Sequence, residues 1–274
     1  MAEIRKPAVA GMFYPATPEK LERQMTRLFS EVPPSPVKEE FIPGIIAPHA
    51  GYMYSGLTAA YAYKNIADKK YTKVIILSPS HREYFGGISI YDGDAYETPL
   101  GRISVDQNIA QKMTGTSPRI MRSKAGHRDE HGVEVHLPFL QQIYGNDFEF
   151  VPVVMGDQSH ANINELSKAV LEVMDDDTLV VASSDLSHFY SKPVAHKLDS
   201  VIADRIVEYN PEALEEDLER QITHACGGGL VVALMKATKR AGVKHSLLLH
   251  RSDSGDVSGD NTSVVGYLSA AFYN

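Results

Sequence analysis

The run TLVVASSDLSH, residues 178–188, decides how the chain is read. Its first part, 178–184, is a short, nearly continuous apolar stretch rich in β-branched residues. Such a run suits a strand covered on both faces, as in mostly parallel sheets. It then turns polar and ends on His188. The same order occurs twice upstream. GIIAP at 44–48 leads directly to His49 in IIAPHAGYMYSG, and KVIILSP at 73–79 leads to His81. Residues 148–155, 246–250 and 264–272 predict further strands. Between them lie stretches with helical apolar spacing at 161–174, 192–207, 211–223 and 228–241. A helix is also expected from Thr17 to about residue 29, with Thr17 as N-cap, Pro18 in the first turn and Glu19 complementing the helix dipole. Strands alternating with helices indicate an α/β fold. With no break in composition, residues 1–274 are expected to form a single domain with a mostly parallel central sheet flanked by helices.

Composition narrows the function. The chain has 274 residues, 27 basic and 35 acidic side chains, a net charge of −8, eleven histidines and one cysteine. A lone cysteine cannot form an internal disulfide, a thiol-rich zinc finger or a CxxC pair. The acidic balance without basic clusters argues against a nucleic-acid surface. No apolar tract is long enough to span a membrane, and the first residues lack the apolar core of a signal peptide. A reducing, cytoplasmic setting is expected. The Ser/Gly/Asp-rich segment 252–263 reads as a surface or site-edge loop, and its acidic spacing does not match a calcium loop.

In open α/β sheets, ligands bind beyond the carboxyl ends of the strands. His49, His81 and His188 each follow a predicted strand, so three imidazoles are expected at one sheet edge. Converging neutral nitrogens suit iron, zinc, copper or nickel. Cys226, in ITHACGGGL, lies in a Gly-rich turn before a predicted helix. Two readings of it stand: a small buried hydrophobe, or a thiol made reactive by a helix N-terminus, where a lowered pKa is expected and backbone N–H groups can approach an anion. The segment 127–136, HRDEHGVEVH, is the densest polar cluster. It lacks the order HExxH of zinc proteases. His127 and His131 are expected to be able to share a helical face, whereas His131 and His136 are not. Roles as a substrate wall or in orienting ligands fit this cluster, as does a solvated loop. Tyr14, Tyr52 and Tyr54 are expected either to line the pocket or simply to pack. His160, His196, His245 and His250 have no convergent context and read as structural or surface residues. No Walker loop, dinucleotide fingerprint or GxSxG elbow is present. A cysteine nucleophile pairing Cys226 with a histidine and Asp185 is a minor reading.

The segments PAVAGMFYP (7–15), PHAGYMYSG (48–56), SPSH (78–81), EHGVEVHLPFL (130–140), SSDLSH (183–188) and HACGGG (224–229) together resemble the MEMO family, across essentially the whole chain. That family is similar in turn to class III extradiol dioxygenases, which hold Fe(II) with two histidines and a glutamate. The resemblance implies a class III extradiol dioxygenase-like fold, with His49 and His81 as metal ligands and His188 as acid/base. Asp185 would orient His188, with His131 and His136 in support. Cys226 falls where those enzymes have the glutamate. A thiolate there tunes the site toward softer metals, so the implied cofactor is a transition metal ion, iron first, with copper or zinc as alternatives. The resemblance implies a metal-dependent oxidoreductase acting on an unidentified small molecule or peptide, with AMMECR-type and radical-SAM proteins as associates. It equally allows a non-catalytic adaptor that uses the pocket to bind a phosphopeptide or small anion.

Overall fold

The computed structural model describes residues 2–38 and 41–274. Twelve strands run through them: β1 (Ile4–Arg5), β2 (Gly44–Ala47), β3 (Lys73–Pro79), β4 (Ile88–Tyr91), β5 (Ala95–Thr98), β6 (Gly101–Ser104), β7 (Ile120–Ser123), β8 (Glu149–Met155), β9 (Thr178–Ser183), β10 (His188–Tyr190), β11 (His245–Asp253) and β12 (Val264–Tyr273). The α-helices are α1 (Pro18–Glu31), α2 (Tyr52–Lys64), α3 (Gln107–Thr116), α4 (Leu137–Tyr144), α5 (His160–Val173), α6 (Lys192–Val207), α7 (Pro211–Glu219), α8 (Gly228–Arg240) and the single turn α9 (Gly255–Ser258).

Nine strands form one sheet in the order β10-β12-β2-β9-β3-β8-β4-β7, with β11 pairing along β12. The four central strands, β2, β9, β3 and β8, are mutually parallel. Antiparallel pairs flank them, β12 against β2 on one side and β4 against β8 on the other. The whole is a mixed α/β architecture whose centre is parallel. A small second sheet joins β1, β5 and β6.

The unbroken apolar runs have a simple cause. Side chains alternate across a strand, and both faces of this sheet are covered by helices. In β9, Val180 and Ala182 enter a core shared with α5, α6, α7 and α8, while Leu179 and Val181 enter one shared with α1, α2 and α4. In β3, Ile75 and Leu77 take the first side, and Val74 and Ile76 the second. Helix α1 contributes Leu21, Met25 and Leu28, spaced to lie on one stripe and all buried. Thr17 does occupy the N-cap, but its side chain makes no cap hydrogen bond, and Pro18 begins the helix. The helix expected over 211–223 ends earlier, at Glu219, and Gln221 takes a left-handed conformation.

Because β2, β9 and β3 are adjacent and parallel, their carboxyl ends emerge side by side. Ala47 is level with Ser183, and Leu77 with Ala182. The chain beyond each strand therefore leaves at one edge of the sheet. The first two residues of the segment 252–263 end β11, and the rest is the connection from β11 to β12, carrying α9, with residues 256–263 exposed. Of the two readings offered for it, the surface loop describes it.

Candidate metal centre

His49 lies two residues past β2 and is buried, and His81 lies two residues past β3. Cys226 sits in the turn between α7 and α8. Ligand atoms from these three residues all lie within 4.8 Å of one another. His49 Nε2 is 3.1 Å from Cys226 Sγ. A single ion holding nitrogen at about 2.0–2.1 Å and sulfur at about 2.3 Å needs donor atoms this close. The His131 ring joins the group, stacked on His81 at a centroid distance of 4.5 Å and edge-on to His49 at 5.3 Å.

Each imidazole of the trio is held from behind. His81 Nδ1 meets the Glu130 carboxylate at 2.8 Å, and the His81 N–H donates to the other Glu130 oxygen at 2.6 Å. Glu130 also accepts from the backbone N–H groups of His131 and Gly132. The carboxylate is acceptor-only, so His81 Nδ1 carries the proton and Nε2 is left for a metal. His81, Glu130 and His131 form a second close group. With both Glu130 oxygens already engaged, that group reads as a clamp on the histidines. His49 Nδ1 lies 2.6 Å from the buried Ser183 hydroxyl. His136 reaches the same hydroxyl through Nε2 at 2.8 Å, from beneath the site.

Asp185 is buried, and burial raises its carboxyl to about 7 against hydrogen bonds from the His49 and Ala50 backbone. It accepts from the His49 N–H at 2.8 Å. Its carboxylate therefore faces the His49 and Ala50 backbone, where the resemblance implied a role in orienting His188. Asp185 and Cys226 are also cross-linked through the main chain. The Cys226 N–H donates to the Asp185 carbonyl at 3.3 Å, and the Asp185 N–H donates to Cys226 Sγ at 3.2 Å.

The expected lowering of the Cys226 thiol pKa at a helix start is not realised. Burial pushes it up, with the nearby Asp185 carboxylate adding to the rise. Without a cation the thiol keeps its proton; a metal ion would reverse that balance. The first N–H groups of α8 are also engaged, since Gly227 donates to Ser184 Oγ and Gly229 to Gln158 Oε1. Gln158 additionally donates to the Cys226 carbonyl, at 2.5 Å. This clamp holds the turn from outside.

His188 does not directly follow β9; it opens β10, five residues beyond Ser183. It is part-buried, and burial lowers its pKa, helped by the neighbouring His81 charge. His188 and Cys226 lie on the wall of a cleft of about 740 Å³, bordered also by Gln158, His160, Ile163, Tyr190, Leu218 and His224. His49 and His81 are not on that wall, so the cleft meets the trio at Cys226, with His188 beside it on the wall.

Of the two roles expected of the tyrosines, packing describes Tyr14 and Tyr52. Tyr14 donates to the buried Glu134 carboxylate at 2.5 Å, and Tyr52 to the Val135 carbonyl at 2.6 Å. Both pack beneath the 130–136 segment instead of lining the cleft, and Tyr54 is part-exposed outside it. His127 and His131 share no helical face, because helix in this segment begins only at Glu134. His127 is buried against Tyr96 at 2.8 Å. His160, read as structural or surface, is exposed but borders the cleft and bonds Glu215 at 2.8 Å. Glu130, Ser183 and Gln158 were missed as contributors. Glu130 stood inside a quoted motif, and Ser183 at a strand end, but nothing in sequence spacing marks what they touch.

The family model and the curated relatives agree on one family. A family model described as Memo-like protein matches residues 5–271. A MEMO1 family protein of Thermoplasma volcanium is 37% identical over 97% of each chain. One from Methanopyrus kandleri is 36% identical over 98% of each chain. One from Methanobrevibacter smithii is 38% identical over 98% of this chain and 99% of that one. Among solved structures, an uncharacterized protein from Escherichia coli K12 matches with a TM-score of 0.60 at 13% identity, covering 84% of this chain and 99% of that one. That likeness is one of fold.

Proposed function

The chain belongs to the Memo-like family, and from that premise we propose that it is a metal-dependent oxidoreductase whose ion is held by His49, His81 and Cys226. Iron is the first choice of metal, with copper or zinc as alternatives. The observation that carries this reading is the donor set: two imidazoles and one sulfur within 4.8 Å. The His81 Nδ1 is occupied by the Glu130 carboxylate and the His49 Nδ1 by the Ser183 hydroxyl, which leaves each Nε2 for the ion. Two nitrogens and a thiolate suit a borderline-to-soft transition metal.

A bound ion would supply Lewis acidity and, if redox-active, electron transfer to or from a bound substrate. The rest falls to the chain's own residues. The cleft would hold a small molecule or peptide side chain with its reactive end at Cys226 and His188. His188, its pKa lowered by burial, is neutral at pH 7 and is suited to accept a proton from a group bound there. His131, lowered to about 4, would form a neutral wall beside the ion. Among the described residues, no helix is long and apolar enough to cross a membrane. We place the protein in a reducing cytoplasm, where Cys226 would escape oxidation.

The test is anaerobic purification with metal quantification. Wild type should carry about one ion per chain, and Cys226→Ser and His49→Ala should each lose most of it while melting as folded proteins. Equal metal content in all three would overturn the assignment. A wild type that stays metal-free after reconstitution, yet binds a phosphopeptide, would favour an adaptor role.

A further inference from the structure

Ser183 closes β9, and its side chain is fully buried. Three polar atoms surround its hydroxyl: the Gly132 carbonyl at 2.7 Å, His49 Nδ1 at 2.6 Å and His136 Nε2 at 2.8 Å. A hydroxyl has one proton and two lone pairs. The carbonyl oxygen has no proton to offer, so a contact that short requires the Ser183 proton to point at it. Both remaining contacts must then be hydrogen bonds that Ser183 accepts. Each ring nitrogen facing Ser183 is therefore protonated.

We propose that Ser183 is a positioning residue that sets opposite tautomers in two histidines, Nδ1–H in His49 and Nε2–H in His136, and so aims the His49 Nε2 lone pair at the metal position. The aiming half of this rests on the reading of His49 as a ligand; the tautomer half does not. The geometry at Cys226 agrees. His49 Nε2 lies 3.1 Å from Sγ, and a bare lone pair there accepts the thiol proton in the metal-free protein. His136 agrees from the other side. Its Nδ1 is buried without a hydrogen-bond partner, and a donor N–H in that position would be the costlier group to leave unmatched. Glu130 imposes the same protonation on His81. Two rings that follow β2 and β3, the strands on either side of β9, thus present the same nitrogen, one set by a charged acceptor and the other by a neutral hydroxyl whose single proton is already committed.

The tautomers are read on metal-free protein labelled with 15N-histidine, by long-range proton–nitrogen correlation, with His49→Asn and His136→Asn identifying the two rings. The expected result is Nδ1–H at His49 and Nε2–H at His136 in the wild type. Ser183→Ala should shift His49 toward Nε2–H, and Ser183→Thr, which keeps the hydroxyl, should retain the wild-type pattern. Nε2–H at His49 in the wild type overturns the proposal, even if Ser183→Ala cannot be folded. In a second arm, Co(II) is titrated into the same proteins. Ser183→Ala should bind it about 10–100-fold more weakly, with Ser183→Thr near wild type. Equal affinity in Ser183→Ala and wild type overturns the positioning role. A wild type that takes up no Co(II) but shows the expected tautomers overturns the metal reading and leaves the hydroxyl's control of the two rings standing.

Discussion

Both oxygens of Glu130 are taken: by the His81 ring, and by the backbone N–H groups of His81, His131 and Gly132. Burial opposes its charge, but the His81 hydrogen bond and the charges of His81 and His131 outweigh burial and lower its pKa. Glu130→Gln keeps the shape and replaces one acceptor with an amide that turns its own protons toward an N–H donor. Leaving such a buried donor unmatched costs about 1–3 kcal/mol. The Gln oxygen stays toward the three donors that meet at Oε1, so the His81 ring keeps only a neutral acceptor in place of a carboxylate, and Co(II) affinity should fall by about 10-fold. Urea unfolding and a metal-competition titration measure the two effects separately. Wild-type affinity in a destabilised Glu130→Gln would show that the carboxylate braces the loop and does nothing for the ligand. Glu130 also shows where sequence reading stops. It stands inside the EHGVEVH motif, yet the spacing from Glu130 to His81 is 49 residues, and only the folded chain reveals that they meet.

Elements differ in how openly their sequence declares them. The central strands were legible because β2, β3, β8 and β9 are buried on both faces and short, so apolarity alone marks them. Their adjacency at one sheet edge made His49, His81 and His188 readable as a group. Helix α2 was not expected, because its buried positions, including Tyr52, Ser55, Thr58, Ala59, Ala60 and Tyr63, lie on several sides and leave no amphipathic stripe. Strands β4 to β7 are four residues each, too short for a pattern to show. The turn before α8 was recognised by composition, but the reason for its glycines is tertiary. A Cβ on Gly227 would come within 2.3 Å of the Ser183 carbonyl oxygen and 2.8 Å of Ser184 Cβ. The first is backbone of a central strand, so it is the turn that has to move. Gly227→Ala should therefore lower stability by about 1–3 kcal/mol and weaken metal binding by displacing Cys226. Gly242→Ala, where a Cβ would meet nothing within 4 Å but φ is +88°, serves as the comparison: it strains the backbone far from the trio. Thermal melts and a metal titration on both variants decide; intact metal affinity in Gly227→Ala would mean that the turn does not depend on this close approach.

Gathering so many histidines inside one molecule has a consequence for the whole fold. Burial holds His136 and His127 at about 3 and His131 at about 4, and it lowers His49 well below its ordinary value. In the unfolded chain each titrates near 6.5. Between those limits the unfolded state binds more protons than the folded one, so each of the four contributes stability that is present above about pH 6.5 and lost as the pH falls. Asp185 works in the opposite sense. Raised to about 7 by burial, it holds a proton in the folded state that the unfolded chain releases near 4, so it favours the folded state as the pH falls through 7. Near pH 5.5 these four histidines outnumber Asp185 by about three protons, while His188 and His250, also lowered by burial, and Asp199, raised by it, add contributions of opposite sign. At roughly 1.4 kcal/mol per proton and pH unit, stability should drop on the order of 3–4 kcal/mol for each unit of acidification. Against a total of about 5–15 kcal/mol for a folded domain, the metal-free protein should unfold cooperatively between about pH 4 and 5. Urea-unfolding free energies at pH 7, 6 and 5 give the slope directly, and His127→Phe, which removes a buried imidazole outside the His49, His81 and Cys226 group, should flatten it by about one proton's worth. A slope near zero would show that these rings are protonated in the folded state. That would remove the neutral imidazoles on which the metal reading depends.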